Sequence, residues 1–393
     1  SPNSLPPMPW FSHFERRLDP YPDAPPHTPP ARLGPFLWAC TEGLRGSILA
    51  MTVLTALIGM FEALLFAMLG QLVDWLVHKQ PDSLLADEGG RLLVMTLLML
   101  VGLPLLVLVH SMLLHQTLLG NYPMVIRWQA HRYLLRQSVS FYSNDFAGRV
   151  ATKVMQTALA VREAVMKTLD VLVYVLVYFI SMVVMVGQAD WRLMLPMLIW
   201  LVIYMAIQYY FVPKLKRVST AQAESRSMMT GRIVDSYTNI QTVKLFSHTR
   251  REAEYAQQGM QEFMDTVYQQ MRLATGISVS VQMLNYLLAF AVAALSVWMQ
   301  NAISIGAIAI AISLALRLNG MAQWIMWEIS ALFENIGTVA DGMATLSKPQ
   351  EVQDSASAAE LKPVQGEVKF EQVDFHYGKG SGVLDHLDLT IRP

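Results

Sequence analysis

The chain has 393 residues, of which 53% are hydrophobic and only 15% are charged. Soluble globular domains carry about 25% charged residues, so the composition excludes an ordinary soluble domain and predicts a polytopic membrane protein. The net charge of −1 gives no overall field that would attract nucleic acid. The single Cys40 excludes an internal disulfide and a cysteine-based metal site.

The first residues are polar and rich in proline, as in "DPYPDAPPHTPP". Such a composition predicts an extended, mobile tail over residues 1–32. The stretch "LGPFLWACTEGL" follows, and its aromatic and aliphatic residues favour a short interfacial helix at the entrance to the membrane.

Six apolar stretches are long enough to cross a bilayer, which takes about 20 residues of helix. They are residues 47–77, 92–119, 165–187, 193–212, 277–298 and 303–331. None of them alternates with the period of a strand, so the sequence predicts an all-α polytopic membrane domain over residues 33–346.

Lysine and arginine are distributed unevenly between the connections. Six lie between the second and third spans and nine between the fourth and fifth, whereas the other connections hold two, one and none. Positive charge remains on the cytoplasmic side, so we expect a protein of the cell's inner (cytoplasmic) membrane with both termini and both long connections in the cytoplasm. The long connections keep helical periodicity, which predicts spans that extend well beyond the bilayer.

The two long connections carry residues that point to a family. "FYSNDFAG" contains Phe141, Tyr142 and Gly148, and "GRIVD" contains Gly231 and Asp235. With six spans, a polar linker over residues 347–365 and the stretch "GEVKFEQVDFHY", this order resembles the ATP-binding cassette (ABC) exporters of the type IV fold, as half-transporters. The chain departs from the family pattern where Ser143 replaces an acid, Lys153 an arginine, Thr157 an aspartate and Asp235 a glutamate.

The resemblance implies a nucleotide-binding domain that begins at residues 366–393. "EVKFEQVDF" alternates with one slip at Glu371–Gln372, which predicts a strand with a bulge, and residues 383–391 alternate again. No stretch matches the phosphate-binding pattern G-x-x-x-x-G-K-[ST]. We therefore expect a chain truncated just before that motif, whose full-length product binds ATP and Mg²⁺ and hydrolyses ATP.

The resemblance also implies roles for particular residues. Tyr377 stands at the aromatic position that stacks on adenine. Phe141, Tyr142, Gly148, Gly231 and Asp235 belong to two regions, Phe141–Gly148 and Met229–Asn239, that couple the spans to the nucleotide-binding domains. Each region would be a short separate helix that lies parallel to the membrane and docks into a groove on those domains. The working unit would be a homodimer or a pair of half-transporters.

Charged side chains inside apolar spans usually face a partner or a cavity. Glu62 and Arg317 lie at similar depths, about 22 and 18 Å from the outer ends of their spans at 1.5 Å per residue. They are predicted either to pair or to line a substrate cavity together, and a purely structural ion pair is an equal alternative. Other candidate cavity residues form polar and aromatic stripes suited to an amphipathic ligand, namely Gln282, Asn285, Gln323 and Trp324.

His110 and His115 lie five residues apart, a spacing that does not bring two imidazoles together on one helix face. We therefore expect no metal site there and a hydrogen bond from His110 to another helix. For the substrate, an amphipathic drug or lipid is the main expectation, and a peptide or siderophore is the alternative. Import rather than export, or a regulatory membrane module without ATPase activity, stays open.

Overall fold

The computed structural model describes residues 8–145, 147–299, 301–362, 365–378, 380 and 382–393, and all of their side chains except those of Ala147 and Gln323. The chain divides into two compact units, residues 1–350 and residues 351–393. The first unit is helical and the second contains a pair of strands.

Long helices make up most of the first unit. Their bounds are α3 Arg45–His78, α4 Pro81–Leu97, α5 Leu103–Met112, α6 Asn121–Leu135, α8 Ala147–Met166, α9 Val173–Ala189, α10 Trp191–Thr238, α12 Thr249–Trp298 and α13 Ile305–Leu346. Shorter helices are α1 Pro9–Glu15, α2 Leu33–Ala39, α7 Val139–Ser143 and α11 Ile240–Leu245. Six continuous helical stretches in the described residues are long and apolar enough to cross a membrane. The predicted six-span helical fold is confirmed.

Three π-helical turns interrupt these stretches, at Leu98–Gly102, Leu113–Leu119 and Lys167–Leu172. The first precedes Pro104, which has no backbone N–H to donate to the preceding turn. A π turn holds more residues than an α turn, so each one shifts the face that the following residues present.

The bundle has two different sides. On the short-loop side, three tight connections join α3 to α4, α9 to α10 and α12 to α13. On the extension side, α6, α8 and the distal parts of α10, α12 and α13 continue beyond the apolar spans, and α7 and α11 lie between them.

On the short-loop side, α13 begins close to the end of α3. Asp74 Oδ1 accepts a hydrogen bond from the Gly306 backbone N–H at 2.7 Å, and Ser304 Oγ donates to Asp74 Oδ2 at 3.2 Å. A Cβ at Gly306 would overlap the Asp74 carboxylate, and a Cβ at Gly70 would overlap Ile310. The two helices therefore approach each other closely through glycines.

The structure differs from the mobile tail expected before residue 33. Residues 9–15 form α1, and side chains from the bundle donate hydrogen bonds to the carbonyls of this N-terminal segment. These bonds include Thr117 to Phe14 at 2.9 Å, Asn121 to Glu15 at 3.1 Å, Trp128 to Pro22 at 3.1 Å, Arg132 to Pro22 at 2.9 Å and Ser347 to Pro30 at 2.8 Å. The last turn of α1 and the extended proline-rich backbone that follows it offer carbonyl oxygens, and donors on the second apolar stretch, on α6 and at the end of α13 bind them.

The second unit contains two antiparallel strands, β1 Val368–Phe375 and β2 Leu384–Ile391. Phe370 pairs with Leu389 and Val373 pairs with Leu387, so the register shifts between them. The predicted bulge at Glu371–Gln372 is confirmed. Gln372 has a positive φ of 48°, and its backbone N–H donates to Asp388 Oδ1 at 2.7 Å.

Candidate substrate site and coupling elements

Glu62 on α3, Tyr174 on α9 and Arg317 on α13 meet within the spans. The Tyr174 hydroxyl donates a hydrogen bond to Glu62 Oε2. The Arg317 guanidinium lies beside the hydroxyls of Tyr174 and Tyr178. Among the ion pairs of the described residues, none joins Glu62 to Arg317, so the two charges share Tyr174 and form no direct salt bridge. A phenol in apolar surroundings needs an acceptor, and the carboxylate supplies it.

Aromatic rings continue this site along α13. Trp324 packs edge-on against Tyr174, with ring centroids 6.2 Å apart and an interplanar angle of 79°. Arg317, Trp324 and Trp327 are all exposed in this chain. A Cβ at Gly320 would meet nothing within 4 Å. These residues recur at helical spacing, so one face of α13 offers an open cationic and aromatic surface, here named the α13 stripe: Arg317, Gly320, Trp324 and Trp327.

The remaining predicted cavity residues behave differently. Gln282 Nε2 donates to Asn319 Oδ1 at 3.5 Å, which places it beside α13. Asn285 is buried at 3% exposure, and its Oδ1 accepts a hydrogen bond from Trp200 Nε1 at 2.9 Å. The structure therefore places Asn285 between α12 and α10 rather than on an open surface, because the buried indole N–H requires an acceptor. The side chain of Gln323 lies outside the described part of the structure.

His110 forms the predicted bond between helices, with a partner that the sequence does not indicate. Its Nε2 lies 2.8 Å from Asp170 Oδ1, and Thr55 Oγ1 donates to the same oxygen at 2.6 Å. The cluster joins α3, α5 and the π turn before α9. Lys167 in that π turn pairs with Glu328 on α13 at 3.2 Å. Both acids therefore have partners inside the bundle, as is usual for ionisable groups at membrane depth.

The first predicted coupling region folds around α7. Phe141 is buried with Leu134 and Leu346, whereas Tyr142 is exposed and its hydroxyl donates to the Leu134 carbonyl. A Cβ at Gly148 would come within 2.8 Å of the Val234 side chain, so glycine allows α8 to touch α10.

The second region differs from the expectation. Met229–Asn239 was expected to be a separate element, but Gly231 and Asp235 lie in the last turns of α10. The short helix is α11, just beyond, because the backbone of Asn239 leaves the helical conformation with φ −101° and ψ 25°. Asn239 Nδ2 donates to the Asp235 side chain at 3.2 Å and fixes this turn. The exposed Leu245 and Phe246 follow at the end of α11.

A buried polar network, which sequence reasoning missed, holds the extension side together. Lys153 on α8 is 3% exposed; its Nζ donates to Thr345 Oγ1 at 2.7 Å and lies 3.6 Å from Asp341 Oδ1. Ser227 Oγ on α10 donates to Asp341 Oδ2 at 2.8 Å. Three helices are thereby joined at one point. The feature that marks this network is the burial of Lys153. The sequence does not show which lysines are buried, so the network could not be predicted from it.

Tyr377 follows β1 and is 78% exposed. Its ring packs at 82° against Phe375, with centroids 4.9 Å apart. The ring is therefore accessible within its own unit.

Six helical stretches long and apolar enough to cross a membrane, helical extensions beyond them and a C-terminal strand pair define a multi-pass membrane protein. The family described as ABC transporter transmembrane region matches residues 48–321. The chain belongs to this family.

Known proteins agree with this assignment. An "Uncharacterized ABC transporter ATP-binding protein" of Haemophilus influenzae is 47% identical over 386 residues, which cover 98% of this chain and 62% of that protein. "Multidrug resistance protein fer6" of Mycosarcoma maydis is 23% identical over 67% of this chain and 20% of its own length. The fold is similar to that in "Structure of a bacterial Atm1-family ABC exporter with ATP bound", with a TM-score of 0.75, 15% identity, and coverage of 89% of this chain and 61% of the other. The chain thus has the type IV exporter fold. It spans about three fifths of the length of the Haemophilus influenzae protein and of the Atm1-family exporter.

Proposed function

We propose that this chain is the membrane-spanning part of an ATP-driven exporter that moves an amphipathic drug or lipid by alternating access. The observation that carries the proposal is the α13 stripe. Arg317 and Trp324 are exposed at membrane depth, on a 42-residue helix that continues into the extension side. An exposed arginine in an apolar span is costly unless it faces a cavity or a ligand, so a substrate pathway is the best account of it.

The extension side supplies the means of coupling. Helices α10 and α12 are 48 and 50 residues long and run from the spans to α11, while α7 follows α6. Val139 on α7 and Leu245 on α11 are largely exposed, which suits docking against nucleotide-binding domains. Phe141 lies in α7 and Gly148 at the start of α8. Gly231 and Asp235 lie in the last turns of α10. A shift of either short helix would then be transmitted along these long, stiff helices to the α13 stripe.

ATP and Mg²⁺ would bind in a nucleotide-binding domain whose first strands are β1 and β2. In the described strand unit, the exposed ring of Tyr377 suits a nucleotide, as a surface for adenine. Bound ATP would supply the energy for the cycle. This chain's residues would stack the base and convey the movement.

The proposed working form is a homodimer, or a pair of half-transporters, in the inner (cytoplasmic) membrane, with both termini in the cytoplasm. The basic extension side supports this orientation, because positive charge stays in the cytoplasm.

The proposal is tested with the full-length protein reconstituted in bilayers. ATP hydrolysis should be stimulated by amphipathic drugs or lipids, and vesicles should accumulate a fluorescent lipid only when ATP is present. The control is Tyr377→Ala, which should weaken ATP binding while leaving the membrane part folded. Stimulation by peptides or siderophores alone would favour that alternative substrate class. Absence of any ATP hydrolysis would favour a regulatory membrane module.

A further inference from the structure

We propose that the α13 stripe recognises an anionic amphiphile, whose acidic group pairs with Arg317 and whose apolar part lies along Gly320 against Trp324 and Trp327. This inference rests on the proposed function and names its substrate class. A carboxylate or a phosphate monoester offers the required chemistry, since a guanidinium binds both in bidentate fashion.

The two positive charges within the predicted spans differ in their pairing. Lys167 and Arg317 are the two lysine or arginine residues that the six predicted spans contain. Lys167 has Glu328 at 3.2 Å. Arg317 belongs to none of the ion pairs found among the described residues, although it is exposed. Of these two side chains, Arg317 is therefore the one that is open to an external anion.

The acid near Arg317 is already engaged in a hydrogen bond. Glu62 accepts the hydroxyl of Tyr174, so part of its hydrogen-bonding capacity is used. Tyr174 at the same time lies next to the guanidinium and orients it from one side. The five N–H donors of an arginine exceed what two phenol oxygens can accept, which leaves donors for a ligand.

The shape of the α13 stripe also suits an amphiphile. Arg317, Gly320 and Trp324 are three and seven residues apart, so they share one helix face. Trp324 lies about 10 Å and Trp327 about 15 Å from Arg317 along the helix axis. Because Gly320 adds no side chain and has open space above it, an alkyl or aromatic body can lie flat between the charge and the indoles. A polar head at one end and an apolar body of roughly this length describe an amphiphile.

The experiment compares head groups on one tail. Full-length protein is reconstituted in phosphatidylcholine vesicles, and ATP hydrolysis is measured with dodecyl phosphate, dodecyltrimethylammonium and dodecyl maltoside, each below its micelle-forming concentration. We expect dodecyl phosphate to give half-maximal stimulation at a concentration about tenfold lower than the other two. Arg317→Gln should abolish this difference, whereas Arg317→Lys should retain part of it, because a single charge remains without the planar fork.

The matched control is Arg250→Gln, which also removes one positive charge. Arg250 lies on the extension side with a side chain 94% exposed, so the preference for dodecyl phosphate should persist in this variant. Retention of the preference in Arg317→Gln would overturn the inference. So would equal stimulation by all three head groups, although the proposed transport of amphiphiles would then survive.

Two further outcomes are decisive. If Arg317→Gln dissociates the dimer on size-exclusion chromatography while Arg250→Gln does not, the occupant of the stripe is a second copy of the chain and the inference is wrong. If no amphiphile stimulates ATP hydrolysis in a protein that hydrolyses ATP, both the inference and the proposed substrate class fail.

Discussion

The two halves of α13 differ in the exposure and the neighbours of their charged residues. In the membrane half, Arg317 is exposed and lies beside the hydroxyls of Tyr174 and Tyr178, with Glu62 nearby but not in a direct ion pair with it. In the extension half, Asp341 is 9% exposed and lies among Lys153, Thr345 and Ser227. One helix thus carries an open charge where a ligand is expected and an enclosed charge where helices must stay together.

Packing distance explains the difference. A Cβ at Gly337 would come within 2.5 Å of the Ser219 backbone, so α13 and α10 touch there almost backbone to backbone. A Cβ at Gly342 would overlap the side chain of Thr157 on α8. Near Arg317, Gly320 faces open space instead. Small residues in the extension half exclude any ligand, whereas the membrane half leaves room for one.

The largest expected effect is that of Asp341→Asn. It would leave the Lys153 ammonium buried without its counter-charge, and breaking a buried ion pair costs about 3–5 kcal/mol. Unfolding of the purified protein in a mild detergent, followed by circular dichroism, measures the loss. The double variant Lys153→Met, Asp341→Leu should regain most of it. A loss below about 1 kcal/mol would mean that the extension half does not depend on this pair.

Gly337→Ala should cost about 1–3 kcal/mol, since a methyl group there overfills the contact between α13 and α10. Gly320→Ala in the same helix is the matched control and should stabilise the protein by about 0.5–1 kcal/mol, because alanine favours the helix and meets no neighbour. The same unfolding assay reads both. Equal effects at the two glycines would contradict the difference in packing between the two halves.

In the membrane half, Asn285→Leu should cost about 0.6–1.7 kcal/mol by removing the acceptor of the Trp200 indole. Trp200→Phe, which deletes the donor and retains an aromatic ring, should lower the cost of Asn285→Leu when the two are combined. Additive losses in this double-mutant cycle would show that the bond between α10 and α12 contributes nothing.

The smallest effect is expected at the short-loop side. Asp74→Asn keeps an acceptor for the Gly306 N–H but removes the negative charge at the start of α13, which should cost about 0.3–1 kcal/mol. Asp74→Ala removes the acceptor as well and should cost more. Proteolysis of the α12–α13 connection at limiting protease concentration reports local opening, and no change in either variant would contradict the capping role.

Much of the fold is legible in the sequence because its signals are local. Apolar runs of about 20 residues suffice to place the six spans. The strand bulge is visible as a slip in alternation at Glu371–Gln372. His110 could be predicted to bond to another helix because an imidazole at membrane depth needs a partner.

What the sequence does not reveal are pairings across the bundle. Lys153 and Asp341 are 188 residues apart, and nothing local marks either as the other's partner. Periodicity places Asn285 on a polar face, but the rotation of α12 against α10 decides that this face meets Trp200. Likewise, the sequence places Glu62 and Arg317 at similar depths, but it does not place Tyr174 between them. The depth of Tyr174 depends on the π turn at Lys167–Leu172, which no sequence signal predicts.

The hydrogen-bonded N-terminal segment has a consequence for the order of assembly. The carbonyl of Pro30 is bound by Ser347, which stands 317 residues later in the chain. Ribosomal synthesis therefore delivers this acceptor long before its donor, whereas the donors for Phe14 and Pro22, at Thr117 and Trp128, are made much earlier. The C-terminal end of the segment is thus bound only after the last helix has been made.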